Sequence, residues 1–228
     1  MEASFADPAA ALQLPSADVM GAFVKFAELG ARGGFAGRRH DPANSSIELQ
    51  ASSLSARGVA CEYGLLNVAP ESVRALLGAL SFIDAKVVPL RDVAVSAPAS
   101  WIGAETSPGG HFSPTQFPFT DERTFTSSGY NIDLRFFDAP SPGVLDQVET
   151  AFGTWFSGAN VGCFSGPQVT AALAHVYMDD DPRVGDDFTS IELDEVLLAE
   201  PDATDALVNV LHWVHRHVAP LYDVTLYE

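Results

Sequence analysis

The sequence carries its own plan twice. Val87-Val88-Pro89-Leu90-Arg91-Asp92-Val93-Ala94-Val95 returns as Val218-Ala219-Pro220-Leu221-Tyr222-Asp223-Val224-Thr225-Leu226, 131 residues later. At the same offset Pro70 matches Pro201, Ala75 matches Ala206, Leu76 matches Leu207 and Leu80 matches Leu211. Upstream the offset is 129: Ala22-Phe23 matches Ala151-Phe152, and Gly33-Gly34-Phe35-Ala36-Gly37 matches Gly162-Cys163-Phe164-Ser165-Gly166. A two-residue insertion or deletion between these blocks accounts for the drift. Such a chain is constrained to two similar modules of roughly 95–100 residues, each able to bury a modest core. The repeat sets a fold expectation and names no chemistry.

The second copy has the clearer element pattern. Tyr130 to Phe137 alternates apolar and polar residues, as a half-buried strand does. The turn Asp138-Ala139-Pro140-Ser141-Pro142-Gly143 feeds a helix whose apolar positions are Val144, Val148, Phe152 and Trp155-Phe156. Val169–Met178 and Phe188–Leu198 read as strands around an acidic loop, Asp179–Asp187, with Pro182 and Gly185 as breakers. Pro201-Asp202 opens a second helix with proline in the first turn and an acid where the helix dipole favours it. Its stripe is Leu207, Val210, Leu211 and Val214, and Val218–Tyr227 is the last strand. In the first copy the same order places strands near Ser4–Asp7, Ser46–Leu54, Val59–Val68 and Lys86–Val95. Its helices run from Ala17 to Leu29, after a Ser16 cap, and from Pro70 to Phe82. The expected fold is therefore α+β, an internal duplication of a ferredoxin-like β-α-β-β-α-β unit. The boundaries are 1–95 for the first module, 96–128 for a linker and 129–228 for the second module, the halves packing sheet to sheet or helix face to helix face. The linker is rich in Pro, Gly, Ser and Thr, yet holds Trp101, Phe112, Phe117, Phe119 and Phe125. A free linker does not carry five large aromatics, so it is expected to pack on the modules.

Charge separates the two copies. The chain has 12 Lys+Arg against 30 Asp+Glu, a net charge of −18. Residues 1–95 carry 8 basic and 10 acidic groups (−2); residues 96–228 carry the remaining 4 basic and 20 acidic groups (−16). This balance argues against nucleic acid and anionic membranes as partners, since both select basic surfaces. It suits a basic protein partner steered by an acidic face. Two cysteines, Cys61 and Cys163, form no disulfide framework and fit a reducing compartment. The opening Met1-Glu2-Ala3-Ser4-Phe5-Ala6-Asp7 lacks the basic and apolar regions of a signal peptide, so a soluble, cytoplasmic setting is expected.

The remaining candidates for chemistry each have a plain structural reading. His212, His215 and His217 could share a metal ion, since residues three apart lie on one helix face. Basic side chains at a helix C-terminus also complement its exposed carbonyls. The acidic loop Asp179, Asp180, Asp181, Asp186, Asp187 lacks the spacing and closing Glu of a calcium loop, and reads first as a solvated hairpin turn and second as a partner-facing tip. Gly33–Gly37 follows a helix, so it reads as a helix-ending turn needing positive φ, with Phe35 tucked inward, rather than a phosphate loop. No nucleophile elbow is present, and no cofactor is implied.

The leading functional expectation is a non-enzymatic acidic inhibitor that docks a basic protein. In size, acidity and setting it matches the profile of bacterial immunity proteins that neutralise toxins, an analogy of profile only. Its contacts would be Asp179, Asp180, Asp181, Asp186 and Asp187, with Trp101 and Phe112 as anchors. The alternative is an enzyme or small-molecule-binding protein with its site in the cleft between the modules, using His175, His212, His215 and Asp223.

Overall fold

The computed structural model describes residues 1–37, 40–101, 120–124, 129–164, 183–185, 190–197 and 201–227. In the first half the order is β1 (Glu2–Phe5), α1 (Pro8–Ala11), α2 (Ser16–Ala31), β2 (Ser46–Ser55), β3 (Gly58–Leu66), α3 (Ser72–Phe82) and β4 (Leu90–Ala94). β5 (Thr120–Thr124) follows, then β6 (Gly129–Phe136), α4 (Pro142–Asn160), β7 (Arg183–Val184), β8 (Ser190–Leu197), α5 (Pro201–His217) and β9 (Leu221–Tyr227). The class is mixed α+β. One sheet has four antiparallel strands in the order β2-β3-β1-β4. The other has the order β5-β9-β6-β8-β7, antiparallel except for β5 alongside β9.

Alternation decides which sheet face is buried. On β6, Ile132, Leu134 and Phe136 point into the core, as do Leu221, Val224 and Leu226 of β9. The register then sets Asp133 opposite Thr225 and Arg135 opposite Asp223 on the other face. The elements start where local chemistry allows. The side chain of Asp7 accepts from the backbone N–H groups of Ala9 and Ala10, with Pro8 in the first turn. This capped turn ends β1 at Phe5, two residues before the end expected from the sequence. Ser141 Oγ accepts from Val144 N and starts α4 in the same way. Ser16, expected as a cap, is instead the first residue of α2, behind Pro15. After α3 the chain makes a π turn over Ile83–Val87 that buries Ile83, so β4 begins at Leu90 rather than Lys86.

The repeated Gly/Phe turns do what their sequence implies. Gly33 and Gly162 both take positive φ, +74° and +83°, just past the ends of α2 and α4. Phe35 and Phe164, two residues on, are buried with ring centroids 6.3 Å apart. The halves therefore meet helix to helix. α2 packs on α4, where a side chain at Gly158 would start 2.7 Å from Leu29 Cδ2. Leu29 and Gly158 are matched positions of the repeat, as are Phe35 and Phe164. Across the join, one continuous apolar cluster takes in both sheets and helices α2 to α5.

Candidate functional site

The polar chemistry of the described residues gathers at two places. The first is the join between α5 and the turn Pro42–Asn44. α5 is buried on more than its apolar stripe, with Ala203, Val208, Asn209 and His212 also inside. It is covered by its own sheet on one side and the first half on the other. Asn209 Nδ2 donates to the carbonyl of Ala36 at 3.1 Å. His212 Nε2 lies 3.2 Å from Asp41 Oδ1. That same Asp41 oxygen accepts from Ala43 N, and Asp41 Oδ2 accepts from Asn44 Nδ2. His217 Nε2 is 3.1 Å from the Ala43 carbonyl, and its ring leans on Trp213. The Arg32 guanidinium stands over the Trp213 ring at 5.7 Å, adding a cation–π contact between the halves.

Burial sets the charge here. Desolvation holds the His212 imidazole down to a pKa of about 4, against the partial support of Asp41 and with small opposition from Arg216 and His215. His215 is likewise lowered by burial, and its Nδ1 sits 3.0 Å from Leu221 N at the start of β9. The three histidines thus address three different partners: Asp41, Leu221 and Ala43. Among the described residues no group of three or more His, Cys, Asp and Glu side chains is placed to hold a metal ion.

This geometry predicts a pH dependence. In the unfolded chain His212 takes its proton near 6.5, and in the folded chain near 4. Between those values the unfolded state binds more protons, so stability is lost as pH falls through this window. His212→Asn is expected to remove that part of the slope, worth at most about tenfold in the folding equilibrium per pH unit. Urea midpoints from pH 4 to 7 read it directly. Equal slopes in wild type and variant would contradict an imidazole kept neutral by burial.

The second place is a cleft of about 500 Å³ in the first half. Phe26, Leu76 and Trp101 supply apolar walls, Ser52 and Ser53 line one side, and Cys61 and Tyr63 belong to its floor strand β3. The Tyr63 ring packs edge-on against Phe26 at 5.4 Å, and its hydroxyl is buried without a sound hydrogen bond. Its polar neighbour is the Cys61 thiol, a weak partner. Burial pushes both thiols up, Cys163 to about 12. Neither therefore offers a thiolate nucleophile near neutral pH.

Trp101, a candidate anchor in a linker expected to pack on the modules, is half-buried against the core and forms a wall of this cleft. Asp179, Asp180, Asp181, Asp186, Asp187, Phe112 and His175 lie outside the described residues, as does most of the linker. Its residues Thr120–Thr124 are described, and they extend the second sheet as β5. Asp223, opposite Arg135 on the outward face of β9, accepts from Thr225 Oγ1. Among the described residues no helix is long and apolar enough to cross a membrane. No family model, no curated protein and no solved structure matches this chain.

Sequence reading missed Asp41 and Tyr63, which carry no motif. Asn209 did leave a signal: it is an amide inside the run Ala206-Leu207-Val208-Asn209-Val210-Leu211. A polar side chain there must find a partner when the helix is buried on all sides.

Proposed function

We propose that this chain is a non-enzymatic binding protein whose acidic second half docks a basic protein partner and blocks it, in the manner of a toxin-neutralising immunity protein. The observation that carries the reading is the partition of charge, −16 of the −18 falling in residues 96–228. Such an asymmetric field steers a basic partner to one end of the molecule. The join between the halves adds support, because its histidines are spent on Asp41, Ala43 and Leu221 and its helix crossing is filled by Leu29. A reaction centre between the halves would need those groups free.

We also read the molecule as a duplicated ferredoxin-like unit, with modules over 1–95 and 129–228. The strand order β2-β3-β1-β4 is that unit's order, and β9-β6-β8 repeats the part β4-β1-β3. Matched residues that touch each other, Leu29 with Gly158 and Phe35 with Phe164, are what a pseudo-twofold axis between two copies requires.

The test uses affinity capture from the native host at low salt, followed by binding of the purified partner. Replacing Asp179, Asp180, Asp181, Asp186 and Asp187 by Asn is expected to weaken affinity by about a hundredfold at low salt and to flatten its salt dependence. Unchanged affinity and salt dependence would sink the acidic-tip reading. A small molecule held in the first-half cleft is the second reading, favoured by the buried, poorly partnered Tyr63 hydroxyl.

A further inference from the structure

We infer that two copies of this chain associate edge to edge through β2, joining their four-stranded sheets into one continuous sheet. Among the described residues the two sheets end in four edge strands, and three are blunted. β4 follows Pro89 and carries Arg91 and Asp92, whose side chains are 68% and 73% exposed. β5 is Thr120-Asp121-Glu122-Arg123-Thr124, with three charged residues in five. β7 is two residues long. Short, charged or proline-flanked edges resist pairing with another chain.

β2 has none of these protections past its bulge at Gln50. Ala51-Ser52-Ser53-Leu54-Ser55 pairs with β3 on one side and is exposed along its whole length, Leu54 at 37%. No charged residue or proline lies between Glu48 and Arg57. Among the described residues no strand pairs with the outer side of β2, so its backbone donors and acceptors there are offered with no charge to repel a second strand. The fold already accepts added strands, since β5 is laid along β9.

Charge selects a second copy as the occupant. A basic partner is drawn to residues 96–228, at −16, whereas residues 1–95 are nearly neutral at −2. Two copies of so acidic a chain can approach closely only through the near-neutral half, and β2 is its unguarded edge. An antiparallel pair about a twofold axis near Ser53 sets uncharged residues against uncharged residues. The contact is short, so the dimer is weak and reversible, and salt strengthens it by screening the repulsion of the acidic halves.

Sedimentation equilibrium of the full chain, from 10 to about 500 μM at low and moderate salt, tests this. The wild type is expected to dimerise reversibly, with the association constant rising with salt. Ser53→Lys lowers the net negative charge yet sets Lys against Lys at the axis, and is expected to weaken association at least tenfold with circular dichroism unchanged. Val93→Lys, on the β4 edge, is expected to leave it intact. A monomer at every concentration overturns the inference. So does a dimer indifferent to Ser53→Lys, or one abolished by Val93→Lys, which would move the contact to another surface.

Discussion

Trp155→Ala is expected to lower stability by about 3–5 kcal/mol, the usual cost of emptying a large aromatic site. The indole is fully buried, edge-on to Phe152 at 6.4 Å. Its Nε1 donates to the Ala203 carbonyl at 2.9 Å, tying the middle of α4 to the first turn of α5. The truncation leaves a cavity and also removes the indole's bond to the Ala203 carbonyl. Against a typical total of about 5–15 kcal/mol, this is a large fraction. The damage should not stay in the second half. One turn along α4 from Trp155, Gly158 receives Leu29 of the first half, and the apolar cluster runs unbroken through the crossing. Denaturant unfolding is expected to remain a single transition at a lower midpoint.

Gly33→Ala is expected to be the next most damaging change. The backbone there has φ +74°, and a Cβ would run into the Pro42 carbonyl oxygen. The left-handed conformation alone costs about 1–2 kcal/mol for a residue with a side chain. The clash adds to this, because Pro42 is backbone of the turn in which Asp41 meets His212. Moving that turn would disturb the contacts of His212 and His217 as well. Gly21→Ala is the control. It lies inside α2 with nothing within 4 Å of a new Cβ, so it should stabilise by about 0.5–1 kcal/mol. Urea midpoints of the two variants should move in opposite directions, and a Gly33→Ala midpoint at or above wild type would contradict the account of this turn.

Much of the fold was legible because periodicity and turn chemistry are local. The stripe of α4, the alternation of β6 and the paired Gly33 and Gly162 turns each follow from residues within one element. The boundaries drifted where a short-range competitor intervened, as Asp7 did at the end of β1 and the Ile83–Val87 turn did before β4. The site was legible only in part. His212, His215 and His217 were visible as a cluster, but Asp41 and Ala43 reach them across the fold, and only Leu221, six residues from His215, is a local partner. The sequence spacing that brings two imidazoles to one helix face cannot say whether burial will hold them neutral or an ion will. The packing of Trp101 follows from its place in an aromatic linker, but sequence could not show that it would wall a cleft of the first half.

The two halves are joined as one body through α2 and α4. Native-state hydrogen exchange on the wild type and Trp155→Ala tests this most directly. If the join is as described, the slowest amides of α2, β1 and β3 in the first half lose the same protection free energy as those of α4 and α5. Undiminished protection in the first half, with loss confined to α4, α5 and their sheet, would contradict it and return the molecule to two independent modules.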